Sequence, residues 1–276
     1  MTPAHQPRKR FGQHFLHDDR VIARIVDAFR PGSGDRVVEI GPGRGALTLA
    51  LLRHVASLHA VEIDRDLIPI LRHIGGQQLE IHQADALKFD FCRLTEPPHQ
   101  LRIIGNLPYN ISTPLLFHLL DACPCIQDML FMLQKEVVDR LAAQPGGSTY
   151  GRLSVMVQWR CRVEQLFEVP SSAFSPPPKV ESAVVQLTPY RSDPVAVSDP
   201  GCFAEIVRAA FAQRRKTLRN SIGRLVTPHL ITQAGIDPGR RAETLGIADF
   251  ATLSNLAAAA RHCSAGGNPD NGGGDT

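Results

Sequence analysis

The sequence predicts an α/β fold built on a mainly parallel sheet, followed by a smaller all-α C-terminal domain. Three observations carry this expectation. Strand-like and helix-like stretches alternate from about residue 20 to residue 140, the pattern of strands joined by helical crossovers. A glycine turn, Gly41-Pro42-Gly43-Arg44-Gly45, follows the first strand candidate. Beyond residue 201 the apolar spacing is helical only.

The elements follow in order. Strand-like runs lie at 36–40, 58–63, 79–82, 101–104 and 129–133, with helical patterns between them at 46–53, 67–73 and 114–123. A helix is expected at 137–143, another at 152–159, and two further strands at 163–169 and 182–187. Between those strands Ser175-Pro176-Pro177-Pro178-Lys179 cannot be helical and should be extended. Residues 189–201, rich in Pro, Ser and Asp, read as a linker. In 203–225 the residues Val207, Phe211, Leu218, Ile222 and Leu225 recur near helical spacing, which predicts one helix there, with a last helix at 249–262. The expected domains are therefore 1–190 and 200–263, and 264–276 is a Gly/Asn/Asp-rich tail expected to be disordered.

At 276 residues, 43% hydrophobic and 21% charged, the chain has the composition of a soluble globular protein with a sizeable core. It has no apolar stretch near the ~18 residues needed to span a bilayer, and the polar, basic N-terminus lacks the apolar segment of a signal peptide. The six cysteines, Cys92, Cys123, Cys125, Cys161, Cys202 and Cys263, form no CxxC pair. That argues against zinc or a disulfide framework and for a reducing cytoplasm, with no metal expected. The net charge is only +3, so contact with nucleic acid would have to come from local basic clusters.

The glycine turn is a ligand cradle. Glycines let the backbone turn tightly and let a ligand approach without a Cβ in the way. Glu62, 21 residues after Gly41, ends the next strand candidate, where a carboxylate can hold both hydroxyls of a ribose. A nicotinamide cofactor would also suit this much. The glycines, however, run G-x-G-x-G rather than G-x-G-x-x-G, and Glu39 stands two residues before the first. Asp85 closes the third strand candidate, placed to accept from an adenine amine. A second constellation, Asn106-Leu107-Pro108-Tyr109, ends the run Leu101-Arg102-Ile103-Ile104-Gly105. It puts a side-chain amide, a backbone carbonyl, a stiff proline and a flat ring at a strand tip. Two acceptors there could take both N–H groups of an adenine amine and turn its lone pair outward, with Tyr109 stacked on the base.

The glycine loop resembles that of S-adenosylmethionine-dependent methyltransferases. With residues 106–109 added, the chain resembles the ribosomal RNA adenine dimethyltransferases, most closely the bacterial KsgA type acting on small-subunit RNA. The blocks that carry this are Arg10-Phe11-Gly12-Gln13-His14-Phe15-Leu16, residues 39–45 and 105–114, Met132-Leu133-Gln134-Lys135-Glu136, and residues 150–155, 174–180 and 211–220. The resemblance implies a Rossmann-like class I methyltransferase sheet with S-adenosylmethionine as methyl donor. It puts the cofactor contacts on His14, Leu16, Gly41, Glu62, Asp85 and Asn106. In the family pattern the first of these is usually Asn; a neutral imidazole, with one donor and one acceptor, can replace some amide contacts. Arg44, inside the loop, is expected to be solvated.

The same resemblance gives the mechanism. Asn106 with the carbonyl of Leu107 or Pro108 orients the adenine amine, and Tyr109 and Phe174 form two aromatic faces around the base. RNA contacts are expected from Arg8, Lys9 and Arg10 and from Arg208, Arg214, Arg215, Lys216 and Arg219, of which Arg208, Arg215 and Arg219 share one face at helical spacing. The implied substrate is 16S ribosomal RNA of the small subunit, at two adjacent adenosines in the hairpin near its 3′ end, and the implied state is a cytoplasmic monomer. Other readings are a large-subunit RNA methyltransferase, a ribosome-assembly or transcription factor with dispensable catalysis, and a DNA adenine methyltransferase. The blocks at 174–180 and 211–220 favour the small-subunit type, and intact Glu62, Asp85 and 106–109 favour retained chemistry.

Overall fold

The computed structural model describes residues 13–95 and 100–265. The strands are β1 (Phe15–Leu16), β2 (Arg36–Ile40), β3 (Leu58–Glu62), β4 (Leu79–Gln83), β5 (Leu101–Asn106), β6 (Ile126–Gln134), β7 (Cys161–Val169), β8 (Phe174–Ser175) and β9 (Ser182–Pro189). The helices are α1 (Asp19–Phe29), α2 (Ala46–Leu51), α3 (Ile68–Gly75), α4 (Ser112–Asp121), α5 (Lys135–Ala142), α6 (Arg152–Arg160), α7 (Pro200–Ala212), α8 (Leu218–Ser221), α9 (Pro228–Gln233) and α10 (Ile247–Ala265). Among the described residues no helix is long and apolar enough to cross a membrane.

Seven strands form one sheet in the order β4-β3-β2-β5-β6-β9-β7. The first five run parallel, and β9 and β7 close the edge antiparallel. Val37, Val38, Ile103 and Ile104 are at most 1% exposed, as expected of central parallel strands covered on both faces. The strand order reverses at β2, whose neighbours are β3 on one side and β5 on the other. This switch point opens a crevice at the carboxyl ends of β2 and β5. Every strand run expected from the sequence is present, and β1, α1 and β8 add to them. Helix α1 is capped by Asp18, whose Oδ1 accepts from the amides of Arg20 and Val21 at 2.9 and 3.2 Å.

One ion network holds the middle of this sheet. Arg102 lies in the apolar run of β5, yet its guanidinium forks onto Asp128 of β6 at 2.8 Å through both Nε and Nη2. It also reaches Asp35 at 2.6 Å and the Phe29 and Arg30 carbonyls at 2.6 and 3.1 Å, at the end of α1.

The chain divides into two compact units: the described residues up to Ala142 with Arg160–Arg191, and Ala143–Trp159 with the described residues from Ser192 on. The segment 143–159, expected within the first domain, therefore belongs to the second unit. Its apolar side chains explain this: Trp159 packs on Phe203 at 4.6 Å between ring centroids, and Tyr150 on Phe211 at 6.0 Å.

The helix expected across 203–225 is broken. Helix α7 ends at Ala212, and Gln213 leaves the helical region at φ −135°, ψ 78°. The next amides are drawn away, Leu218 N to the Arg240 carbonyl and Arg219 N to the Pro238 carbonyl, at 2.8 and 3.1 Å. Arg215 and Arg219 therefore do not continue the α7 face that carries Arg208.

The cysteine expectation also changes. Cys92 and Cys125 form a disulfide, and Cys123 Sγ lies 3.9 Å from the buried Cys161 Sγ. Spacing along the chain could not show this pairing, because 33 residues separate the bonded cysteines and the sheet brings them together.

Candidate active site

A cavity of about 240 Å3 lies at the switch point, lined by Gly41, Gly43, Glu62, Asp85, Asn106 and Tyr109 among others. The glycine loop shapes one wall. Gly41, Gly43 and Gly45 have φ of 67°, 57° and 83°, a region that L side chains rarely adopt. The opposite wall is the end of β5. Gly105 lets it approach β2, because a Cβ there would sit 2.5 Å from the Ile40 carbonyl oxygen. His14 and Leu16 also line the cavity, carried on the two-residue pairing of β1 with β8.

The tip at 106–109 is pinned on all sides. The Leu107 amide donates to the Met132 carbonyl of β6 at 3.1 Å, and the Ile111 amide to the Pro108 carbonyl at 3.1 Å. Asn106 Nδ2 donates to the His14 carbonyl at 3.0 Å. A carbonyl only accepts, so this contact fixes the amide's orientation and leaves Oδ1 as its acceptor. The Tyr109 hydroxyl exchanges a hydrogen bond with Ser182 Oγ of β9 at 2.7 Å, and burial raises its pKa. His14 stacks against Tyr109, ring centroids 5.5 Å apart at 28°. Its Nδ1 lies 2.7 Å from the Pro176 carbonyl and therefore carries the proton.

The carboxylates stand at consecutive strand ends. Glu62, 5% exposed, accepts from the Asp64 amide at 2.8 Å and from the Gly43 amide at 3.3 Å. Burial raises its pKa, and those two amides work against the rise. Asp85 Oδ1 accepts from the Leu87 amide at 3.0 Å. Glu39 is buried behind the loop and takes the Thr48 hydroxyl at 2.6 Å. Burial pushes its pKa up to about 8, opposed by the Thr48 hydrogen bond.

Phe174 is not brought to the cavity. It is 2% exposed and belongs to the hydrophobic core, on the two-residue strand paired with β1. The expectation of a second aromatic face from Phe174 is not met in this arrangement. Arg44 is exposed as expected, and its guanidinium also lies over the Phe15 ring at 4.6 Å. Arg8, Lys9 and Arg10 lie outside the described residues. In the second unit Arg208, Arg214, Arg215, Lys216 and Arg219 are all exposed. Arg214 is held there by Glu243 at 3.3 Å and by the Ser148 carbonyl at 2.6 Å.

Several supporting groups escaped the sequence reading. Ser182, which holds Tyr109, lies 73 residues away with no local signal. Gln13 Nε2 donates to buried Asp64 at 3.0 Å. Glu39 did carry a signal: a carboxylate within the buried run Val37-Val38-Glu39-Ile40 needs a partner.

A mainly parallel sheet that reverses order at a glycine loop, with acids ending the adjoining strands, is a Rossmann-like nucleotide-binding arrangement. The sequence narrows the class. Residues 4–259 match the family of ribosomal RNA adenine dimethylases, and the chain belongs to that family. It is 55% identical over 253 residues to the ribosomal RNA small subunit methyltransferase A of Pseudomonas aeruginosa, covering 91% of this chain and 94% of that protein. Against the protein of the same name from Thiobacillus denitrificans the identity is 56% over 251 residues, covering 91% and 97%. Among solved structures, a dimethyladenosine transferase from Plasmodium falciparum superposes with a TM-score of 0.71 at 28% identity, covering 87% of this chain and 96% of that one. The 23S rRNA methyltransferase ErmE shares the fold, with a TM-score of 0.67 at 24% identity over 88% of this chain and 99% of its own.

Proposed function

We propose that this chain transfers methyl groups from S-adenosylmethionine to the exocyclic amines of adenines in small-subunit ribosomal RNA. The observation that carries the chemistry is the fixed amide of Asn106, whose Nδ2 is committed to the His14 carbonyl and whose Oδ1 is left to accept. The Pro108 carbonyl already accepts from the Ile111 amide, so of its two lone pairs one is committed, and we take the Leu107 carbonyl as the second acceptor. Together they take both amine N–H groups and aim the lone pair. Tyr109, tethered through Ser182, stacks on the base.

The cavity residues fit the cofactor. The positive-φ glycine loop leaves room for a backbone-hugging ligand, Glu62 meets a ribose, and Asp85 accepts from an adenine amine. His14 and Leu16 close that side of the cavity. When bound, S-adenosylmethionine supplies an electrophilic methyl group on its sulfonium. The residues need supply no strong base, because methyl transfer leaves a cationic ammonium that is acidic and loses its proton to water, giving the neutral methylated amine. Orientation then carries much of the rate enhancement. Extruding the adenine from its stack takes a few kcal/mol, and the exposed cations Arg208, Arg215, Lys216 and Arg219 hold the RNA backbone.

The family and the small-subunit names of its relatives support adenines of small-subunit ribosomal RNA as substrate, and we read the target as two adjacent adenosines near the 3′ end of 16S RNA. We further read the protein as a cytoplasmic monomer that acts where ribosomes are assembled. The Cys92–Cys125 bond removes the thiol argument for that compartment, so the substrate alone supports it. The test is labelled methyl transfer onto immature small subunits by the wild type and by Asn106→Ala, with mono- and dimethyladenine resolved after digestion. Dimethyladenine formed only by the wild type is expected. Transfer only to naked large-subunit RNA overturns the substrate; normal particle binding without any transfer overturns the chemistry.

A further inference from the structure

Away from the cavity, three ligand-type side chains converge at the sheet edge. Among the described residues strand β4 is the outer strand and pairs only with β3. In their parallel register His59 stands opposite Glu80, and Val61 opposite His82. Side chains alternate along strands, so His59, Glu80 and His82 share one face, while Leu58, Ala60, Leu79 and Ile81 join the core on the other.

The ligating atoms are close together. His59 Nδ1 lies 3.2 Å from His82 Nε2 and 3.3 Å from Glu80 Oε2, and His82 Nε2 lies 3.6 Å from Glu80 Oε1. A tetrahedral ion with nitrogen and oxygen ligands at ~2.0–2.2 Å sets its ligand atoms about 3.3–3.6 Å apart. The distance between the two imidazole nitrogens is close to that size, and each nitrogen has a Glu80 oxygen at such a distance, Oε2 for His59 and Oε1 for His82. Two imidazole nitrogens facing each other can share only one proton, whereas an ion uses both lone pairs and the carboxylate at once.

We propose that His59, Glu80 and His82 bind a divalent transition-metal ion, with zinc the best fit. Imidazole and carboxylate together suit zinc over magnesium or calcium. The rings are held in place, His59 against His82 at 5.4 Å and His82 against Phe89 at 5.2 Å between centroids. Access is open, since the Glu80 side chain is 64% exposed over imidazoles that are 20% and 13% exposed. Three protein ligands leave a fourth position for water. The ion ties the outer strand to its neighbour, and Asp85 of the cavity wall lies three residues beyond His82. Its role is to hold that edge; it takes no part in transfer.

The test uses the full chain, stripped with chelator and titrated with Co2+ under visible absorption. Expected is a tetrahedral-type band that saturates at a single ion per chain and is displaced by Zn2+. The band is lost in the double variant His59→Ala/His82→Ala, whose fold is checked by circular dichroism and by retained cofactor binding. Glu80→Gln, at an exposed position, shifts the Co2+ midpoint upward even if the double variant fails to fold. Zn2+ raises Tm in the wild type and leaves the double variant unchanged. The proposal is overturned by a wild type without the band, or by a titration that neither the double variant nor Glu80→Gln alters.

Discussion

The tip of β5 and the basic segment from Arg208 to Arg219 present their polar groups in opposite ways. At the tip, each of three residues has a polar group tied to a neighbour, Asn106 Nδ2 to His14, the Tyr109 hydroxyl to Ser182 and the Leu107 amide to Met132, while the Asn106 Oδ1 and the Leu107 carbonyl stay open to accept. In the basic segment the cations are exposed on a broken helix, and only Arg214 is seen tied down, by Glu243 and Ser148. The first arrangement fixes a direction to within one acceptor. The second sets a field without a direction. Chemistry that depends on lone-pair aim belongs to the first, and affinity for a phosphate backbone to the second.

Breaking the pinned side should have the largest effect. Asn106→Ala is expected to lower methyl transfer by about 100- to 1000-fold, as for loss of one preorganised polar group, measured as single-turnover label incorporation. A tenfold loss or less would mean that the amide does not aim the amine. Tyr109→Ala should cost roughly 1–3 kcal/mol of base stacking, read as a weaker KM for RNA. Tyr109→Phe keeps the ring and loses only the Ser182 tether, worth about 0.5–1.5 kcal/mol. Equal losses in the two variants would show that the tether, not the stacked ring, matters.

The buried acid behind the loop gives a pH test of the same side. Burial holds the pKa of Glu39 at about 8 against an ordinary 4.5. The folded protein therefore keeps a proton that the unfolded chain releases. The stability this contributes is complete below about pH 4.5 and is lost as pH rises to about 8, with a slope of up to about 1.4 kcal/mol per pH unit. Denaturant melts from pH 5 to 8 should show that slope in the wild type and a flatter profile in Glu39→Gln. The exposed side should respond least. Arg215→Ala and Lys216→Ala are each expected to weaken RNA binding a few-fold and to reduce the salt slope by about one. Arg214→Ala should instead lower the melting temperature, because its guanidinium bridges two segments of its unit.

Legibility followed the same division. The glycine loop, Glu62, Asp85 and Asn106 could be read because a strand end fixes where each side chain starts, and spacing along the chain then reports spacing in the cavity. Arg102 could not. A lone arginine in an apolar run gives no sign of Asp128 and Asp35, 26 and 67 residues away. Phe174 was expected at the base from the resemblance alone, which carries no information on how deeply its two-residue strand is buried. The broken helix after Ala212 was hidden for a different reason. Val207, Leu218 and Ile222 are buried as their spacing suggested, yet the carbonyls of Pro238 and Arg240 capture the intervening backbone.

One contact described above bears on how freely this chain can vary. Asn106 is oriented by the main-chain oxygen of His14, and every residue carries that oxygen. The anchor of the amine-aiming amide is thus indifferent to what side chain stands at position 14, provided β1 keeps its place beside β8. A histidine can occupy a position where the resembling sequences usually carry asparagine without disturbing the aim of the amide. Variation there is free to retune the rim of the cavity while the direction of attack is inherited from the backbone.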